Sequence, residues 1–150
     1  MGFVDDIEGV QIQPERYNTS LKVSYFLDKT PNPEQVAKQV KQRVAAASNN
    51  YQVVWSSGKD LDILPAAAGK GKAIRFLIDY LDLNSAQVIT AGDSGNDRSM
   101  LEEFERGIVV GNAQPELHDL KNNTHETSFY FAKNNYAAGV TEGLHHFNVF

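Results

Sequence analysis

Apolar positions change their spacing several times along the chain, and each change marks an element. Residues 22–28 alternate and are rich in Val, Tyr and Phe, which predicts a strand. Val36, Val40 and Val44 recur every four residues, so 34–47 is predicted as a helix, stopped by Asn49-Asn50. A strand over 51–57, a turn at Ser57-Gly58-Lys59 and a short strand over 60–64 complete a βαββ unit. Residues 1–20 are polar and irregular, with Pro14 as a breaker, and read as a lead-in.

Pro65, three alanines and Gly69 form a natural hinge. Beyond it, Ile74, Leu77, Ile78 and Leu81 share one face of a predicted helix over 70–81. The run 87–91 has few polar residues, as a strand covered on both faces should. A helix over 99–104, a strand over 107–110, a short helix over 115–120 opened by Pro115, a strand over 127–132 and a closing helix over 136–146 follow. Strands alternating with helices imply a parallel sheet with right-handed crossovers. The fold class is therefore α/β: a small α+β module over 1–65, then part of a doubly wound sheet over 66–150.

Candidate chemistry concentrates where the 87–91 strand ends. Gly92-Asp93-Ser94-Gly95-Asn96-Asp97 places two carboxylates four residues apart across a strand–turn–helix junction. Ligands of open α/β sheets bind at such junctions. Gly92 and Gly95 let the backbone bend sharply. Asp93 and Asp97 are hard oxygen ligands suited to Mg²⁺, while Asn96, Asp97 and the first amides can cap the helix or face an anion. A capped turn with solvated acids is the competing reading.

Composition narrows the function classes. A net charge of −5 argues against an electrostatic nucleic-acid binder. The absence of cysteine excludes disulfides and thiolate metal sites. The opening residues lack the basic and apolar regions of a signal peptide, and no run is long enough to span a bilayer. A cytoplasmic protein is expected, so Asn18-Thr19-Ser20 and Asn122-Asn123-Thr124 read as chance matches to the glycosylation pattern. His118, His125, His145 and His146 lack zinc-helix spacing and are expected to pack or be solvated. Trp55 reads as a core residue.

The acidic turn resembles the last acidic motif of the haloacid dehalogenase-like phosphohydrolases. Residues 55–65, Gly69-Lys70-Gly71 and residues 112–117, with residues 22–28 and the ending His145-His146-Phe147, widen the match to nearly the whole chain. Together they resemble the sucrose-phosphate phosphatase family. The resemblance implies a Mg²⁺-dependent sugar-phosphate hydrolase, acting on sucrose 6-phosphate through an aspartyl-phosphate. It implies Asp93 as Mg²⁺ ligand, Asp97 as a second or water-mediated ligand, Asn96 and Ser94 as orienting groups, and Lys70 as the contact to the phosphoryl group. Flanking Gly69 and Gly71 are expected to let Lys70 approach that ligand closely. Asn112 would border the phosphate pocket. The 1–65 module would be a sugar-reading cap, with Ser56, Ser57, Lys59 and Asp60 near its turn.

The same resemblance exposes a gap. The family nucleophile is an Asp-x-Asp pair after a long apolar strand. Here Asp60-Leu61-Asp62 follows Ser56-Ser57-Gly58-Lys59, and its alternation with Leu61 and Ile63 suits an exposed cap strand. It is not assigned as the nucleophile, and no other such pair exists in the chain. An incomplete copy, inactive alone, is expected. The alternative is a non-catalytic regulatory or interaction module, as in bifunctional sucrose-phosphate synthases. Without the nucleophile strand, the 87–91 strand should lack one neighbour, to be supplied by self-association, a cap strand or a missing N-terminal segment.

Overall fold

The computed structural model describes residues 2–122 and 128–150, with Ser128 described by its backbone alone. His125, Asn123, Thr124 and Thr127, which carried sequence expectations, lie outside the described residues. The chain divides into two compact units, Met1–Ala68 and Gly69–Phe150.

The first unit holds a four-stranded antiparallel sheet in the order β1-β2-β4-β3. Its strands are β1 (Gln11–Ile12), β2 (Val23–Phe26), β3 (Tyr51–Ser56) and β4 (Asp60–Pro65), with helix α1 (Pro33–Ala47) between β2 and β3. Asn32 caps α1: its side-chain oxygen accepts the Gln35 N–H at 3.1 Å, and Pro33 follows where its missing N–H costs nothing. Val36, Ala37, Val40 and Val44 of α1 bury against Leu27, Leu61, Ile63 and Val4, with Tyr25, Val53 and Trp55 alongside. Trp55 is thus a core residue, although its indole N–H finds no partner among the described residues.

Two expectations change here. β4 pairs with β2 on one side and β3 on the other, so it is an inner strand, and Leu61 and Ile63 are buried. Nor is the lead-in irregular. β1 pairs with β2, a 3₁₀ turn spans Glu15–Tyr17, and Val4 joins the core. Asn18 secures this segment by accepting the Ser24 N–H at 2.7 Å and donating to the Gln13 carbonyl at 2.8 Å. A two-residue strand is too short to show a period in sequence.

The second unit is a parallel sheet in the order β5-β6-β7: β5 (Ile89–Gly92), β6 (Arg106–Val109) and β7 (Ser128–Phe131). Helices α2 (Lys70–Leu81), α3 (Arg98–Glu103) and α4 (Tyr136–His146) accompany it. The segment expected as a short helix over 115–120 is a 3₁₀ helix, Pro115–Asn122. Leu101, Val109, Leu117 and Leu120 form the core with Phe129 and Phe131. Gly143 lets α4 lie close on β6, since a Cβ there would meet Ile108 at 2.6 Å. Among the described residues β5 pairs only with β6, leaving its other edge open. The α2 stripe is split: Ile78 is buried, but Leu77 and Leu81 are 49% and 55% exposed. No helix is long and apolar enough to cross a membrane.

Candidate active site

The turn between β5 and α3 is built around Asp97, which is only 4% exposed. Its Oδ2 accepts the N–H groups of Asp93 at 3.0 Å and Ser94 at 3.3 Å. Its Oδ1 receives the Lys70 ammonium from the first turn of α2. Lys70 also donates to Asn96 Oδ1 at 3.2 Å, and that oxygen accepts the Ser94 hydroxyl at 3.1 Å. Gly92 is required here, because a Cβ would run into the Asp97 side chain. A buried carboxylate is stable only when paired and hydrogen-bonded, and Asp97 is both.

Asp93 differs. It is half-buried, and its carboxylate takes no hydrogen bond or ion pair among the described residues. Its backbone is held at both ends: the Asp97 carboxylate takes its N–H, and its carbonyl accepts the Gln114 N–H at 2.7 Å. Asp93 therefore has a backbone fixed against Asp97 and Gln114 and a carboxylate left uncommitted among the described residues.

The segment that follows β6 clamps this turn. Glu116 Oε1 accepts the Gly95 N–H at 3.2 Å. Arg98 donates to the Glu116 carbonyl and to Asp119, and to Glu102 Oε1 at 3.0 Å. The Arg98 hydrogen bond holds the Asp119 carboxyl below its ordinary range, against a weaker opposing effect of burial. For Arg98 itself burial pulls the pKa down, but the bonds from Asp119 and Glu102 prevail and raise it. Residues 112–117 suggested a loop beside the site, but not that Glu116 would hold an amide. The available signal was an acid facing a helix start.

The glycines around Lys70 have a structural purpose. Gly69 adopts φ +126°, a conformation nearly closed to other residues. Gly71 is buried, donates its N–H to Ser99 Oγ at 3.3 Å, and has no room for a Cβ, which would lie 2.7 Å from the Ser99 carbonyl oxygen. These glycines seat α2 on α3 and so aim Lys70. Asn112 spends its side-chain oxygen on the Tyr136 N–H at 2.7 Å, holding the start of α4.

The remaining candidates belong to the first unit. Ser56 and Asp60 face each other at the ends of β3 and β4, and Ser57, with φ +56°, and Gly58, with φ +68°, turn the hairpin. Lys59 is exposed, and its carbonyl accepts the Leu27 N–H at 2.7 Å. Asp60 Oδ1 accepts from Gln13 at 2.9 Å, a partner the sequence did not suggest because it lies in the lead-in.

Among the described residues no three His, Asp or Glu side chains converge as a metal cage. Mg²⁺ needs less from a protein, commonly one or two carboxylates with waters and phosphate oxygens completing six. Asp93 fits as one such carboxylate, and Asp97, with both oxygens engaged, fits a supporting place behind it.

The fold matches that of known phosphatases. A phosphatase of the haloalkanoate enzyme superfamily from Bacteroides thetaiotaomicron superimposes with a TM-score of 0.64 at 18% identity, covering 90% of this chain and 44% of that one. The α/β architecture is thus of the haloacid dehalogenase-like class. Within that class the chain belongs to the sucrose-6F-phosphate phosphohydrolase family, whose pattern matches residues 2–148. It is similar to the mannosylfructose-phosphate phosphatase of Agrobacterium fabrum, at 39% identity over 95% of this chain and 56% of that protein. It also resembles the sucrose-phosphatase of Synechocystis, solved with sucrose and phosphate, with a TM-score of 0.88 and 33% identity over 97% of this chain and 59% of that one. The chain spans little more than half the length of these relatives.

Proposed function

We propose that this chain is part of a Mg²⁺-dependent phosphohydrolase acting on a phosphorylated fructose-containing disaccharide, sucrose 6-phosphate foremost. The observation that carries this reading is the uncommitted carboxylate of Asp93, whose backbone N–H is held by Asp97 within the Lys70–Asn96–Asp97 cluster. Family membership supports the reaction class, and the two relatives' substrates support the sugar.

In this reading Mg²⁺, when bound, neutralises phosphoryl oxygens so that an attacking carboxylate can approach. Asp93 is its ligand from this chain. Asp97 keeps the Asp93 and Ser94 amides in place and pins Lys70, whose remaining N–H donors face the phosphoryl group. Asn96 and Ser94 orient that group. Asn112 borders the phosphate pocket through its amide nitrogen. The attacking aspartate, which would carry the phosphoryl group as an aspartyl-phosphate until water hydrolyses it, lies outside these 150 residues. Residues 1–65 act as the cap, with Ser56, Ser57, Lys59 and Asp60 offered to the sugar hydroxyls, and residues 66–150 supply the C-terminal part of the core. The protein works in the cytoplasm on a small sugar phosphate, away from nucleic acids and membranes.

The test is phosphate release from sucrose 6-phosphate and from mannosylfructose phosphate with Mg²⁺, beside calorimetric titration of Mg²⁺ and inorganic phosphate. The chain alone should bind both ions weakly and release no phosphate. Steady turnover by the chain alone would refute the missing nucleophile. Absence of any Mg²⁺ or phosphate binding would favour the non-catalytic module.

A further inference from the structure

The turn that leads from β7 into α4 has no buried side chain to hold it. Residues 133–136 are exposed, and Tyr136 keeps a left-handed backbone, φ +50°, that a bulky residue rarely adopts. This turn is fixed from further along α4, by Glu142. Its carboxylate accepts the Lys133 N–H at 3.0 Å, the Asn134 N–H at 2.9 Å and the Asn134 side-chain amide at 2.8 Å. It also accepts the Tyr130 hydroxyl of β7 at 2.7 Å. Hydrogen bonds to an ionised group are the stronger kind, so one side chain ties strand, turn and helix together.

The turn in turn holds its neighbour. The Asn134 carbonyl accepts the Gly111 N–H at 2.8 Å, and the Tyr136 N–H donates to Asn112 Oδ1 at 2.7 Å. Gly111 lies so close to the turn that a Cβ would meet the Lys133 carbonyl oxygen at 2.5 Å. Gly111 and Asn112 follow the carboxyl end of β6, the end of a parallel sheet where ligands bind. Two residues on, the Gln114 N–H reaches the Asp93 carbonyl at 2.7 Å. Asn112 spends its oxygen on Tyr136, so the group it has left is the Nδ2 donor, which makes no hydrogen bond among the described residues. Such a donor suits a phosphate oxygen.

We infer that Glu142 is a positioning residue for phosphate binding: by holding residues 133–136 it fixes Asn112 with its Nδ2 donor turned to the phosphoryl group. The inference deepens the hydrolase reading and rests on it for the ligand. Glu142 touches no ligand itself. It acts through the Asn134 carbonyl and the Tyr136 N–H, and without it the Asn112 amide is free to turn away. A Glu142 that only steadied α4 would contribute independently of Asn112. Residues of one hydrogen-bonded network couple instead, and the coupling is measurable.

The experiment is a double-mutant cycle on the chain, read by titration of inorganic phosphate in the presence of Mg²⁺ and by amide exchange, at a temperature where the variants are folded. Glu142→Gln should weaken phosphate binding by about tenfold and speed exchange at the Gly111 and Tyr136 amides. Asn112→Ala should weaken phosphate binding by a similar factor, and Glu142→Gln added to it should weaken it no further. Tyr130→Phe leaves the backbone bonds to Glu142 in place and should weaken phosphate binding by about threefold. It takes the place of Glu142→Gln in the cycle if that variant does not fold. The proposal is overturned if phosphate affinity is unchanged by loss of the Glu142 bonds, if the two substitutions simply add, or if exchange at Gly111 and Tyr136 does not respond. A wild-type chain that binds no phosphate overturns the hydrolase reading instead. The hold of Glu142 on Asn112 is then decided by exchange alone, faster exchange in Glu142→Gln upholding it and unchanged exchange refuting it.

Discussion

The β3–β4 hairpin and the β5–α3 turn each carry two aspartates, and they use them in opposite ways. On β4, Asp60 and Asp62 project from alternate positions of a regular strand, so they share a face. Each is engaged by a neighbouring side chain: Asp60 accepts from Gln13 at 2.9 Å, and Asp62 pairs with Lys22 at 3.4 Å. At the turn, 3₁₀ geometry over Gly95–Asp97 folds Asp97 back under its own backbone. One carboxylate is consumed in building the loop, and the other takes no hydrogen bond or ion pair among the described residues. The backbone around an acidic pair, not its spacing, decides which carboxylate is spent on structure.

Removing Asp97 should break this contrast most sharply. Asp97→Ala strands two amides and the Lys70 ammonium, and should lower stability by about 2–3 kcal/mol in urea denaturation, allowing for the half-exposed lysine. Gly92→Ala comes next. It pushes a methyl into the Asp97 side chain and should cost about 1–3 kcal/mol, with loss of protection at the 93 and 94 amides. The same measurement on Asp62→Ala should register less than about 1 kcal/mol, because the Lys22 pair is partly exposed and screened.

A carboxylate outside both regions sharpens the comparison through pH. Glu142 is held at about 2, first by the Lys133 N–H, then by the Tyr130 hydroxyl and the Asn134 N–H. Its folded pKa lies below its ordinary value of 4.5, so its contribution is complete above about pH 4.5 and fades as pH falls toward 2. Glu142→Gln should lower stability at neutral pH, change it least near pH 2, and so flatten the acid limb of the stability curve between them. An unaltered acid limb would show that these bonds do not hold in solution.

Much of this was legible in advance where one local rule dominates. The stretch 70–81 has both a glycine stop ahead of it and a helical stripe, and α2 spans Lys70–Leu81. The acidic turn was legible because strand, glycine and helix start follow one another within ten residues. What escaped depends on distant partners. β1 is two residues long and exists because Phe26 and Tyr25 pair with it. Glu116 clamps Gly95 from 21 residues away. The exposed outer half of α2 escaped for a different reason: periodicity shows that a helix has an apolar face, but not whether anything lies against it.

The central claim is a division of labour, with Asp97 holding the turn and Asp93 facing the ligand. It is tested most directly by titrating Mn²⁺ into the wild-type chain, Asp93→Asn and Asp97→Asn, and following bound metal by electron paramagnetic resonance beside each melting temperature. Asp93→Asn should lose metal affinity by at least about tenfold with an unchanged or raised melting temperature, and Asp97→Asn should lose stability first. Equal metal binding by the wild type and Asp93→Asn, or a fold that collapses with Asp93→Asn and tolerates Asp97→Asn, would contradict it.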